Sequence, residues 1–449
     1  MDRKTFVKTS TVATVGTVLG APAVLKAKQR SSNTIRIGFI GTGLRGRNHV
    51  NNILATEGVE CPAFCDIDPD AVDKTLAMFE EKNKPKPVVY SANEYSYQEM
   101  LAKEDLDGVI ISTNWRWHTA MCIAAMEEGV YAGAEVSGAF SVDECWELVN
   151  CHERTGTHLM FLENVCYRRD VMAVLNMVRD NIFGELVHFR GGYQHDLRTV
   201  KFNDGNGGLM YGDGSYGEAR WRTAHSEHRN GDLYPTHGLG PIATYMDMNR
   251  GNRLVSVSSH ATKARSLKHF AKNHPDGGEN HPYTKINWKL GDIVTSTITT
   301  ARGETIILTH DTNLPRPYSL GFRVQGVDGL AEFDYYTKRV HVEGISESHR
   351  WDFGNEWFEK YDHELWKKYG EEAVGGGHGG MDFFLDRAFV ESVRRGIEPV
   401  LDVYDAAVMR VITPLSEISI QEGGTPQPIP DFTEGKWITR NPVFGLGDL

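Results

Sequence analysis

The sequence predicts an α/β chain in two parts: a doubly wound parallel sheet, then an α+β half built on an open, mostly antiparallel sheet. Three observations predict it. Short apolar runs of β type alternate with helical stretches through the first 165 residues. A turn of the form G-x-G-x-x-G joins the first strand to the first helix. After about residue 185 helices thin out, and strand-like runs follow one another between Gly and Asn turns.

The 449 residues suit two domains, placed at 34–165 and 166–449, behind a leader at 1–30. The net charge of −12 argues against a nucleic-acid or anionic-membrane surface, because phosphate binding needs a basic excess. No run of about 18 apolar residues is present, so no membrane span is expected. All six cysteines lie between Cys61 and Cys166, which is not a disulfide framework. Cys61 and Cys65 read as small buried apolar residues on one strand.

The leader opens with Arg3-Lys4-Thr5-Phe6-Val7-Lys8 and continues with small and apolar residues from Thr11 to Leu25. A basic start followed by an apolar run is the order of an export signal. The Arg-Lys pair resembles a twin-arginine signal with its second arginine replaced, so the expected location is the periplasm. A disordered cytoplasmic tail is the alternative.

Ile35 to Ile40 forms the first strand, and Gly41-Thr42-Gly43-Leu44-Arg45-Gly46 opens a helix reaching Leu54. Gly41 permits the tight turn, Gly43 the approach of a pyrophosphate, and Gly46 close packing of helix on strand. A second strand, Val59 to Phe64, is followed by Asp66. Asp66 lies about 20 residues beyond Gly46, where a carboxylate accepts from ribose hydroxyls and repels a 2′-phosphate. This strand, turn and acid mark a Rossmann domain that binds NAD. Further strands are expected at Val88 to Tyr90, Gly108 to Ser112, Val130 to Ala134 and His158 to Leu162, with helices between them. Ligands bind at the carboxyl ends of such strands, where Thr113, Trp115, His118, Glu135 and Asn164 fall.

In the second half, strands are expected at Leu186 to Gln194, Leu254 to His260, Ile293 to Thr300, Thr305 to His310, Phe322 to Gln325, Gly329 to Tyr335 and Val340 to Glu343. Helices are expected at Gly380 to Arg395 and Asp402 to Gln421. The run Gly375-Gly376-Gly377-His378-Gly379-Gly380 reads as a flexible loop or lid. Tyrosines and histidines, with Trp221 and Arg222, concentrate between Tyr193 and His237. His225 and His228 have the spacing of a helical metal pair, but the Asn230-Gly231 turn leaves little helix and no third ligand stands near, so no metal is expected. His237, just before Gly238-Leu239-Gly240-Pro241, is placed to start a helix with its side chain toward a cleft.

A Rossmann half followed by an open sheet resembles the Gfo/Idh/MocA oxidoreductases. Their sugar dehydrogenases carry Glu-Lys-Pro after the fifth strand, and that lysine assists proton transfer. Here the triplet is Glu135-Val136-Ser137, and valine carries no proton. A closer resemblance is to glycoside hydrolase family 109. It rests on Thr113-Asn114-Trp115-Arg116-Trp117-His118, Glu135-Val136, Trp221-Arg222, the segment Asn230 to Pro241 and Pro315-Arg316-Pro317-Tyr318.

The resemblance implies an α-N-acetylgalactosaminidase with NAD as a catalytic cofactor. It implies that Leu44, Arg45, Asp66, Trp115, Arg116, Trp117, His118, Glu135, Val136 and Asn164 contact NAD. Tyr193, Arg222, Tyr234, Pro235, Thr236, His237 and Tyr318 would contact sugar, with Tyr234 also bordering the nicotinamide. The expected partner is a small glycan ending in N-acetylgalactosamine, and a homodimer or larger assembly is expected by analogy. Most glycosidases use two carboxylates, and no such pair stands out here. Transient oxidation at C3, elimination across C1–C2, water addition and re-reduction suits the residues present. His237 and Tyr234 are the expected acid/base pair, with Tyr318 sharing proton work. A sugar dehydrogenase with net NAD turnover is the alternative.

Overall fold

The computed structural model describes residues 34–448. The export-type leader lies outside the described residues.

Six strands of the first sheet run in the order Val88–Tyr90, Ala63–Cys65, Ile35–Ile40, Gly108–Ile111, Tyr131–Glu135, Leu159–Leu162, all parallel. The order reverses direction between Ile35–Ile40 and Gly108–Ile111, which opens a crevice at the carboxyl ends of those two strands. Crossover helices include Pro69–Glu81, started by Asp68 accepting from the Asp70 N–H with proline in the first turn. Val142–Thr155 is capped by Ser141 and ended by Gly156 in the left-handed region.

One expected strand is corrected. The run from Val59 to Phe64 is two pieces, Val59–Glu60 and Ala63–Cys65, each paired to Ile35–Ile40. Pro62 lies in the break and has no N–H to give a ladder.

The second sheet has nine strands in the order Asp352–Phe353, Lys338–Val342, Gly329–Phe333, Phe322–Gly326, Leu186–Gln194, Thr305–Asp311, Val294–Thr300, Leu254–Ala261, Gln427–Pro428. Among the described residues of this sheet, only the pair Leu186–Gln194 with Thr305–Asp311 is parallel. Residues alternate strictly along Val294–Thr300, with Val294, Ser296, Ile298 and Thr300 buried and the threonines between them exposed. One face is therefore core and the other open.

Helix Thr236–Tyr245 lies on the inner face against Leu186–Gln194. The approach is close because both elements are glycine there: a Cβ on Gly238 would come within 2.4 Å of the Gly192 nitrogen. This contact carries His237 beside Tyr193.

Two further differences concern helices. Arg222–His228 is helical despite the turn that follows it. The expected helix from Asp402 to Gln421 is two helices, Val403–Arg410 and Ile412–Gln421. Pro414 cannot donate to the carbonyl of Arg410, four residues earlier. That carbonyl accepts from the Ala139 N–H instead, at 3.1 Å. The C-terminal segment also returns to the first sheet: Phe389 of helix Met381–Arg395 meets Tyr131 edge-on with ring centroids 5.7 Å apart.

Candidate active site

A cavity of about 660 Å³ opens at the carboxyl ends of the parallel strands and reaches the second sheet. On the first-sheet side, Gly41 turns the chain with φ +86°. Helix Leu44–Ala55 begins with no side-chain cap and no acid in its first turn, so its leading N–H groups are uncommitted. A Cβ on Gly43 would meet nothing within 4 Å, whereas one on Gly46 would lie 2.1 Å from the Gly41 carbonyl. The turn is thus open where a pyrophosphate would approach and shut where helix meets strand.

Asp66 is tied into this turn, accepting from the Thr42 N–H at 2.6 Å and the Asp68 N–H at 2.9 Å. Asn164 donates Nδ2 to Asp382 at 2.6 Å, while its buried Oδ1 meets no partner among the described residues. An unpaired buried acceptor on a cavity wall suits a bound group with an N–H or O–H to give. These features fit a dinucleotide.

Beneath this half lies a frame of buried charges. Arg45 donates to Glu135 at 2.6 Å and to both oxygens of Asp382, at 2.6 and 3.1 Å. His49 bridges Glu135 (2.8 Å) and Asp386 (2.6 Å). Burial opposes the Glu135 charge, but Arg45 and His49 outweigh it and hold the carboxyl down at about 2. Burial likewise opposes a charged His49, yet Asp386 and Glu135 push it up to about 9. His118 is different: burial pushes it down to about 4, so it is neutral, with Nε2 at 2.9 Å from the Thr113 carbonyl.

The second-sheet side is aromatic. Ring centroids of Tyr193 and Tyr234 are 4.5 Å apart, Tyr234 and His237 4.9 Å, and Tyr193 and His237 5.4 Å. The Arg222 guanidinium sits over Trp115 (4.7 Å), Trp221 (5.2 Å) and Tyr234 (5.4 Å), and is paired with Glu218. Burial raises the Tyr234 phenol well above its usual value despite Arg222, and raises Tyr193 to about 12. Both are hydrogen-bond donors near neutral pH. His237 Nδ1 lies 2.7 Å from Glu163, a fully buried carboxylate.

Of the residues expected at the site, Gly41, Gly43, Leu44, Arg45, Asp66, Trp115, Trp117, His118, Glu135, Val136, Asn164, Tyr193, Arg222, Tyr234 and His237 line the cavity. Five do not. Gly46 packs against the turn, and Arg116 is exposed at the surface. Pro235 and Thr236 are buried behind their neighbours. Tyr318 stands outside the wall, 6.1 Å from Tyr193 and 4.8 Å from His195 between centroids.

The two histidines with the spacing of a metal pair diverge: His225 packs on Trp115, and the His228 side chain is exposed. Among the described residues no three His, Cys, Asp or Glu are grouped to hold a metal ion.

Two residues that sequence reasoning did not assign complete the site. Glu163 closes the last parallel strand, a position already marked by the strand-end rule. His378 reaches the cavity from the glycine-rich loop, with Nδ1 2.6 Å from Asp382. Its φ of +44° is left-handed, as are those of Gly377, Gly379 and Gly380 around it.

Residues 167–439 match the family model described as "Glycosyl hydrolase 109, C-terminal domain", and residues 35–162 match "Oxidoreductase family, NAD-binding Rossmann fold". The cofactor is NAD. A protein of Tannerella forsythia named alpha-N-acetylgalactosaminidase is 51% identical over 94% of this chain and 91% of its own length. A glycosyl hydrolase family 109 protein of Parabacteroides distasonis is 48% identical over 99% of each chain. A levoglucosan dehydrogenase solved with NADH and levoglucosan shares the fold, with TM-score 0.65 and 16% identity over 89% of this chain and all of that one. With a family match over most of its second half and relatives about half identical along nearly its whole length, this chain belongs to glycosyl hydrolase family 109.

Proposed function

We propose that the protein is an exo-acting glycosidase that releases terminal α-linked N-acetylgalactosamine, with NAD used catalytically and returned unchanged. One observation carries the reading: two histidines, His237 and His378, line one cavity, each with Nδ1 on a buried carboxylate. The carboxylates nearest the aromatic wall are already paired, Glu163 to His237, Glu218 to Arg222 and Glu135 to Arg45. That leaves imidazoles, rather than two free carboxyls, to move protons.

Bound NAD would be held by the open turn, Asp66 and Asn164, and would supply reversible hydride uptake at C3 of the sugar, the O3 proton leaving to solvent on oxidation and returning with the hydride on re-reduction. Oxidation at C3 makes the C2 proton acidic, and His237 takes it. Glu163 fixes the imidazole and offsets the charge it gains. Tyr234 and Arg222 donate to the oxygen at C3, where negative charge gathers. His378 protonates the departing oxygen at C1. Water then adds at C1, giving its proton to His378, and His237 returns a proton to C2.

The test is direct. Purified protein should contain NAD by mass analysis and release nitrophenol from the α-N-acetylgalactosaminide without accumulating NADH. A C2 deuterium label should wash out during turnover. Retention of that label would remove the elimination step, and steady NADH formation would favour net dehydrogenation. Val136, on the cavity wall where the dehydrogenases have lysine, supports the glycosidase. We further propose periplasmic export by the leader; finding full-length protein only in the cytoplasmic fraction would refute it.

A further inference from the structure

A second cavity of about 620 Å³ shares His378 with the first. Its walls include Arg168, Tyr335, Lys338, Asn355, Phe358 and Trp366. Rings lead from one cavity to the other: Tyr318 is 6.1 Å from Tyr193 and 5.4 Å from Tyr335. The two cavities therefore share the histidine proposed to protonate the leaving oxygen, and packed rings lie between their walls.

Three features say what the second cavity would hold. Tyr335 is 48% exposed, with the Arg168 guanidinium 4.7 Å from its ring centre. Arg168 itself is only 7% exposed. Its Nε and Nη2 are committed to Asp170 at 2.6 and 3.1 Å, and its Nη1 is buried with no acceptor among the described residues. A buried donor left unpaired on a cavity wall is a place for an oxygen. The charges balance: Arg168 pairs with Asp170 and Arg169 with Asp362, while Lys338 offsets Glu359. Such a wall favours a neutral ligand rich in hydroxyls over an ion.

We propose that this cavity is the leaving-group subsite, holding a neutral saccharide ring attached through the glycosidic oxygen. The C–H face of the ring rests on Tyr335, and one of its oxygens accepts from Arg168 Nη1. The subsite rests on the glycosidase reading above and extends it to the other side of the bond cleaved.

Two substrates test it. One is a disaccharide with α-N-acetylgalactosamine linked to galactose. The other is α-N-acetylgalactosaminyl fluoride, whose leaving group is a single atom. Tyr335→Ala should lower kcat/KM for the disaccharide about tenfold, mainly through KM, and leave the fluoride within about twofold. Asn355→Ala, an exposed change on the rim, should show the same selectivity at about threefold. Titration of free galactose into the NAD-loaded protein should show binding that Tyr335→Ala weakens. Equal losses on both substrates, or no loss on the disaccharide, would overturn the subsite while leaving the glycosidase intact. A wild-type protein that cleaves neither substrate would remove both readings.

Discussion

His237 and His378 reach the same cavity with the same device, an imidazole held through Nδ1 by a buried carboxylate, but from different backbones. His237 starts a buried helix locked to the second sheet by glycine contacts, and its side chain is 13% exposed. His378 rides a glycine loop in left-handed conformation, and its side chain is 51% exposed. On the proposed mechanism, the difference is a division of labour. A base for a carbon acid must hold one position against a weakly acidic C–H bond. An acid for a leaving group serves many aglycones and has room to adjust. His49 is the limiting case, wholly buried between Glu135 and Asp386, with no face toward the cavity.

The strongest way to break the comparison is to remove each histidine. His237→Ala should cost about 10³-fold in kcat and abolish C2 label washout. His378→Ala should cost about 10²-fold on a nitrophenyl glycoside, and more as the leaving group becomes more basic, while C2 washout persists. The same losses and the same washout in both variants would erase the distinction.

His49→Gln tests the frame instead of the chemistry. His49 is raised from 6.5 to about 9, so the stability from its charge is fully present below pH 6.5. That stability is lost as pH rises through about 9. The variant should be less stable by about 3 kcal/mol at pH 6, and the gap in melting temperature should narrow by pH 9. A gap independent of pH would mean that packing, not charge, holds this corner.

The smallest effect sharpens the loop itself. A Cβ on Gly379 would meet nothing within 4 Å, so Gly379→Ala changes only the backbone preference at φ +73°. It should cost about 1 kcal/mol in stability and slow turnover several-fold without shifting the pH profile.

Much of this was legible in the chain, and the parts that were not share a cause. The turn at Gly41 to Gly46 and the acid at Asp66 are local patterns, and both stand where the spacing places them. So do the alternating strands of the second half. Pro62 and Pro414 were also in plain view, but the apolar runs around them masked the breaks they impose. The role of His378 was not legible, because a loop reports nothing about what it faces. Nor was the charge frame, since Arg45 finds Asp382 some 337 positions away. Tyr318 and Arg116 show a further limit of motif reading: a residue can belong to a recognisable motif and still stand off the cavity wall.

That long reach has a consequence for synthesis. The nucleotide-binding turn emerges from the ribosome early, yet Arg45, His49 and Asn52 take their partners Asp382 and Asp386 from helix Met381–Arg395. Until that helix arrives, Arg45 and His49 lack part of the frame that balances their charge, and the Phe389 side of the first sheet is bare. A nascent chain stopped before residue 381 should therefore fail to retain NAD even though every glycine of its fingerprint is already translated. Loading is then a late event, and a chain that holds its cofactor is one that has finished being made.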